Sequence, residues 1–208
     1  MDALRLLSAL VIFSIWSSYA SAEYTEKYQR ALAATSSDFP HLNFIWANAE
    51  GDLNGDGIPD VAMLLTGNRT ENDPREERLF VLTGKPDGSY KVLSISAEFC
   101  HPSKFYNLEI AKNSLFAQMV EYADSSRISS YTLQFRYNAK INDLELIGEE
   151  MNSESYEDGS MERTSTNHLT GTVIHAAKTG KKGKTKTRTE QIGKSAPPTK
   201  LNGYLCGG

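Results

Sequence analysis

At 208 residues, with 22 Lys and Arg against 26 Asp and Glu and a net charge of −4, the chain is long enough for one domain with a real core. It carries no bulk positive charge with which to hold nucleic acid. Two cysteines in all exclude a disulfide-dense miniature scaffold.

The first segment, Met1 to Ala22, has the three parts of a secretory signal. Arg5 and the free amine supply positive charge, Leu6 to Trp16 is apolar apart from Ser8 and Ser14, and Ala20-Ser21-Ala22 offers small residues for cleavage before Glu23. The apolar run is too short to cross a bilayer, which takes about 20 residues. No Cys follows it to accept a lipid. The expectation is a periplasmic or secreted protein with no membrane span. Cleavage removes Asp2 together with Arg5, so the net charge stays −4.

The remainder reads as a single β-rich domain over 23–194 with an irregular tail over 195–208. Tyr24, Tyr28, Ala31 and Leu32 share a face at helical spacing, and Thr35 to Pro40 ends that one short N-terminal helix. From Leu42 the signals change to strands and turns. Leu42–Trp46 is a short apolar run, Asn48–Asp60 a loop dense in Asp, Asn and Gly, and Val61–Leu65 a buried-looking strand. Leu79–Thr83 and Tyr90–Ile95 flank Pro86-Asp87-Gly88, where Pro presets φ and Gly accepts a positive one. Leu108 and Ile110 lead through Lys112-Asn113-Ser114 into the alternating Leu115, Ala117 and Met119. Tyr131, Leu133, Phe135 and Tyr137 alternate with polar residues, the pattern of a half-buried strand, and Leu144, Leu146 and Ile147 return the chain. Thr170–Ala177 and Lys184–Glu190 form a last hairpin around Gly180 and Gly183. The predicted fold is mainly β: an antiparallel meander of roughly eight to ten strands, part-propeller, open barrel or sandwich. There is no βαβ rhythm, so a nucleotide-binding parallel sheet is not expected.

Chemistry concentrates in Asp52-Leu53-Asn54-Gly55-Asp56-Gly57-Ile58-Pro59-Asp60. A hard divalent cation takes six to eight oxygens at about 2.3–2.6 Å. Asp52, Asn54 and Asp56 alternate, so a tight loop can aim all three inward. Gly57 permits the bend, the Ile58 carbonyl can then face the ion, and Asp60 closes the site. Three carboxylates in nine residues repel one another unless a cation joins them. The position that is a bidentate Glu in helix-loop-helix calcium sites is Met63 here, and the flanks read as strands, so a strand-loop-strand calcium site is expected.

The run Gly51 to Ala62 resembles the calcium loop of FG-GAP repeats, the units of integrin-type β-propellers. Leu79-Phe80-Val81-Leu82 and Asp87-Gly88-Ser89-Tyr90 are similar to the rest of such a unit. The resemblance covers about Phe44 to Ile95 and implies side-chain ligands Asp52, Asn54, Asp56 and Asp60 with Ile58 as the backbone ligand. It is a single copy, whereas a propeller needs at least four blades. Tyr131–Tyr137, Leu144–Gly148 and Asn167–Gly171 also resemble a group of exported bacterial proteins of unassigned function, which implies a fold but no mechanism.

Other chemistry is sparse. His41, His101, His168 and His175 form no close pair of the kind zinc needs, and no G-x-S-x-G elbow occurs. Glu149-Glu150, Glu154, Glu157 and Asp158 read as a solvated, turn-like acidic stretch rather than as catalytic carboxylates. Lys178 to Lys194 holds six Lys and one Arg. Alternation there sets cations on one strand face, either a basic strip for an acidic partner or a charged edge that resists aggregation. Asn68-Arg69-Thr70 fits a glycosylation acceptor, relevant only in a eukaryotic host. In an oxidising compartment Cys100 and Cys206 are expected to pair, a closure stabilising by about 4–5 kcal/mol in the chain-entropy model.

The functional expectation is an exported, non-enzymatic, calcium-binding β domain that docks another protein. Two alternatives stand beside it: a periplasmic immunity or inhibitor protein that neutralises a toxin or hydrolase, and a secreted hydrolase using Glu149 or Glu154.

Overall fold

The computed structural model describes residues 26–35, 38–67, 76–97, 106–122, 126–194 and 198–203. The signal segment, Asn68-Arg69-Thr70, His101, Cys100 and Cys206 lie outside them. The described chain is mainly β, in two antiparallel sheets. Residues 26–35 form the helix α1. The strands are β1 Leu42–Gly51, β2 Asp60–Gly67, β3 Glu77–Gly84, β4 Tyr90–Ile95, β5 Tyr106–Ala111, β6 Ser114–Tyr122, β7 Arg127–Asn138, β8 Asp143–Ser155, β9 Met161–Asn167, β10 Thr172–Lys178 and β11 Thr185–Gln191. The first four make one sheet in chain order; the other seven make a second, ordered β11-β10-β9-β8-β7-β6-β5. Among the described residues no helix is long and apolar enough to cross a membrane.

Hydrophobic patterning explains why the four-stranded sheet lies in the middle. Strand β2 is buried along nearly its whole length, and β3 almost so. Such a strand needs cover on both faces, hence the continuous apolar runs Val61–Leu65 and Leu79–Leu82. Val61, Met63, Leu65, Phe80 and Leu82 form one core with Tyr28 and Ala31 of α1. Phe39 meets Phe80 edge-on at 5.5 Å, and the Arg78 guanidinium sits 5.1 Å from the Phe39 ring centre. Ala62, Leu64, Leu79 and Val81 alternate to the opposite face. There they meet Leu108, Leu115, Ala117, Leu133, Phe135, Leu144 and Leu146 of the seven-stranded sheet. The layers therefore run helix, sheet, sheet.

At one side β1 lies against β5, so closely that a Cβ on Gly51 would meet Ile110 Cγ2 at 2.6 Å. At the other side the 3-10 turn Leu201–Gly203 touches both β4 and β8. The β5–β6 hairpin turns on Lys112 and Asn113, both at positive φ (52° and 58°), the geometry that matches the twist of paired strands.

Four differences from the sequence reading have clear causes. Eleven strands are present among the described residues rather than eight to ten, because β9 (Met-Glu-Arg-Thr-Ser-Thr-Asn) is largely wet on both faces and shows no apolar alternation. The acidic stretch from Glu149 is not turn-like up to Ser155; it is the far end of the 13-residue β8, with the turn beginning at Tyr156. Strand β1 runs on to Gly51, so the loop starts at Asp52 and not at Asn48. The tail is not wholly irregular: Lys200 bridges Glu145, Leu146 N–H donates to the Thr199 carbonyl at 2.9 Å, and Leu201 is fully buried in the inter-sheet core. Leu201→Ala is expected to destabilise the fold by about 2–4 kcal/mol in urea unfolding. A tail that merely rests on the surface would leave the midpoint unchanged.

Candidate metal centre

The loop from Asp52 to Pro59 joins β1 to β2 at one end of the central sheet. Its shape follows from short polar side chains folding back on their own backbone, which Asp and Asn do readily. Asp52 Oδ1 accepts from Gly55 N–H at 2.7 Å and its Oδ2 from Gly57 N–H at 2.9 Å. Asn54 Oδ1 accepts from Asp56 N–H, and Asp56 Oδ1 from Ile58 N–H, both at 2.8 Å. Asn54 Nδ2 donates to Asp56 Oδ2 at 2.9 Å. Gly55 and Gly57 sit at φ 81° and 79°, where a Cβ is strained. Asn113 Nδ2, from the β5–β6 turn, donates to the Asp52 carbonyl at 3.2 Å and ties the loop to the second sheet.

Asp60 behaves differently. It is completely buried. Its Oδ2 accepts from Leu53 N–H at 2.9 Å, and its Oδ1 from Gly84 N–H at 3.0 Å. Burial raises its pKa above the usual carboxylate value, partly offset by those backbone donors. Leu53 is itself buried in the inter-sheet core, so the loop is pinned by one apolar side chain and one buried carboxylate. The Gly84 approach leaves no space for a side chain: a Cβ there would lie 2.3 Å from the Pro59 carbonyl oxygen.

The structure thus brings Asp52, Asn54 and Asp56 together in one exposed loop and sets Asp60 on its sheet side, committed to two amides. Ile58 is half-buried beside them. Among the described residues no group of three or more His, Cys, Asp or Glu converges as a metal cluster. The donor set is nonetheless one of hard oxygens only. A carboxylate offers about four lone-pair sites, so the single hydrogen bond recorded on each oxygen of Asp52 and Asp56 leaves acceptor capacity for a hard cation.

The remaining sequence candidates are dispersed. Glu149 and Glu154 point to opposite faces of β8, since they are five residues apart on a strand of period two, so they cannot share a cleft. His168 Nε2 lies 3.4 Å from Glu149, His175 Nε2 3.5 Å from Glu190, and His41 Nε2 2.7 Å from Glu76. Sequence reasoning missed Gly84 and Asn113 as supports of the loop. Neither carries a local signal, because their partners lie 24 and 61 residues away. Leu53, an apolar residue inside a polar loop, was a readable sign of an anchored turn.

Comparison with protein-family models, with curated proteins and with solved structures returns no match to this chain.

Proposed function

We propose that this is an exported, calcium-binding β domain that docks another protein and carries out no chemistry of its own. The observation that carries the reading is the loop Asp52–Asp60. It is a nine-residue FG-GAP-like turn, oxygen-lined, shaped by its own Asp and Asn side chains and anchored through Leu53 and Asp60. Asp52, Asn54 and Asp56 would hold the ion with their side chains, joined by the Ile58 carbonyl and Asp60. Bound calcium would supply charge neutralisation and rigidity at the β1–β2 junction. The signal-like segment Met1–Ala22 supports export to the periplasm or beyond, an oxidising compartment in which Cys100 and Cys206 would pair.

Ligand binding to the folded state alone stabilises by about 2.7 kcal/mol at a hundred times Kd, or roughly 5–10 °C for a domain of this size. Calcium is therefore expected to raise Tm by that order in the native chain. Asp56→Ala is expected to abolish the rise while leaving the chelator-treated Tm within about 2 °C, because Asp56 is exposed and serves only the loop. Identical melting curves with calcium and with chelator would remove calcium from the proposal.

A further inference from the structure

The outer strand of the large sheet, β11, pairs only with β10 among the described residues. We infer that its free edge is a docking site for an extended acidic segment of another protein, which adds as a twelfth strand. The inference extends the protein-docking part of the proposed function and is independent of calcium.

The direction of the free backbone groups follows from one hydrogen bond. Ile192 N–H donates inward to the Gly171 carbonyl at 2.8 Å. In an antiparallel pair the inward and outward directions alternate residue by residue. With Thr172 opposite Gln191 and Lys178 opposite Thr185, Lys186, Arg188 and Glu190 turn their backbone toward β10. Thr185, Thr187, Thr189 and Gln191 turn theirs outward. The β10–β11 register has no shift, and β11 contains no Pro. The edge therefore lacks the bulge and the proline that usually block strand addition. Its β-branched threonines hold the extended conformation in advance, which lowers the ordering cost of docking.

Side-chain charge selects the occupant. Lys186 and Arg188 share one face of β11 with Glu190, and Lys184 precedes them; the strand is exposed except at Glu190, which is half-buried. Arg188 is already matched to Glu190 at 2.9 Å. Lys184 and Lys186 have no ionic partner among the described residues. A second copy of the chain fits less well than an acidic strand. Antiparallel pairing of two β11 strands centred on Arg188 matches Lys186 to Glu190 but sets Arg188 against Arg188; centred on Thr187 it matches Lys184 to Glu190 but sets Lys186 against Arg188; centred on Thr189 it matches Arg188 to Glu190 but sets Lys184 against Lys194. Like charges directly opposite are destabilising. An incoming strand with Glu or Asp at every second position meets Lys184, Lys186 and Arg188 in turn while its backbone bonds to the threonine row, the mode of β-augmentation.

The test uses a capped eight-residue peptide of alternating Glu and Val, titrated into the full chain and followed by anisotropy and by amide protection, in calcium and in chelator alike. Saturable binding with new protection at Thr187 and Thr189 is expected in both buffers. A Lys-Val peptide should not bind, and Lys184→Glu with Lys186→Glu should weaken binding by about tenfold or more. Thr187→Pro removes one outward donor, a position where an edge strand tolerates proline. It should weaken binding by about three- to tenfold with an unchanged melting curve. Alternate N-methylation of the peptide backbone should weaken it at least as much and requires no change in the protein. Absence of binding would overturn the inference. So would equal affinity for the N-methylated peptide, tighter binding of heparin or phosphatidylglycerol vesicles than of the peptide, or a β11-dependent dimer in sedimentation.

Discussion

Asp60→Ala is expected to lower the unfolding free energy by about 3 kcal/mol, measured in urea with chelator present, and Tm by roughly 6–12 °C. Two opposing effects set the figure. Removing the carboxylate strands the Leu53 and Gly84 amides, and a buried donor left unsatisfied costs about 1–3 kcal/mol. Against that, the substitution relieves the cost of keeping a charge where burial disfavours it, the same burial that raises the Asp60 pKa. The stranded donors win because there are two of them. Asp60→Asn should fall between, since its amide keeps one acceptor but turns a donor toward the second N–H. The contrast with Asp56→Ala is diagnostic: Asp60 pins the loop to the sheet through the Leu53 and Gly84 amides, whereas Asp56 serves only the exposed loop, so its loss is expected to show mainly as loss of the calcium effect. An Asp60→Ala protein as stable as the parent would mean that the loop is not anchored as described.

The second large effect lies between the sheets. Phe135→Ala is expected to cost about 3–5 kcal/mol, because Phe135 is fully buried among Leu115, Leu133, Leu144 and Leu146 where the two sheets meet. Tyr131 stands on the same face of β7, four residues back, yet it is 37 % exposed. Tyr131→Ala should cost less than about 1 kcal/mol. The pair measures how far the sandwich extends. The four-stranded sheet covers the part of β7 around Leu133 and Phe135, and beyond it the large sheet continues, with little cover among the described residues, through β9, β10 and β11. Equal losses for the two substitutions would place a further layer over Tyr131.

Legibility in the sequence tracked burial. Strands β2 and β3 were plain because both faces are covered and the apolar run is unbroken. Strand β7 was plain because one face is covered and alternation follows. Strand β9 and the far end of β8 were invisible because no core residue of the described chain lies in them and their composition is that of a loop; only hydrogen bonding to neighbours makes them strands. The loop was legible in its local part, since Asp52, Asn54, Asp56 and Gly57 act on one another within a few residues. The role of Asp60 was not, because it depends on Gly84 at the end of β3, and that proximity exists only once β2 and β3 have paired. The basic alternation at Lys184–Arg188 was legible as a one-faced strip, but its place at an open sheet edge is a fact of topology.

The claim on which the functional reading depends is that the loop from Asp52 to Asp60 binds calcium. Isothermal titration of calcium into the chelator-stripped mature chain addresses it directly. The expected result is a saturable heat near one ion per chain that disappears in Asp56→Ala while that variant keeps its fold. No heat in the parent, or the same heat in Asp56→Ala, would show that these oxygens serve only to shape a turn.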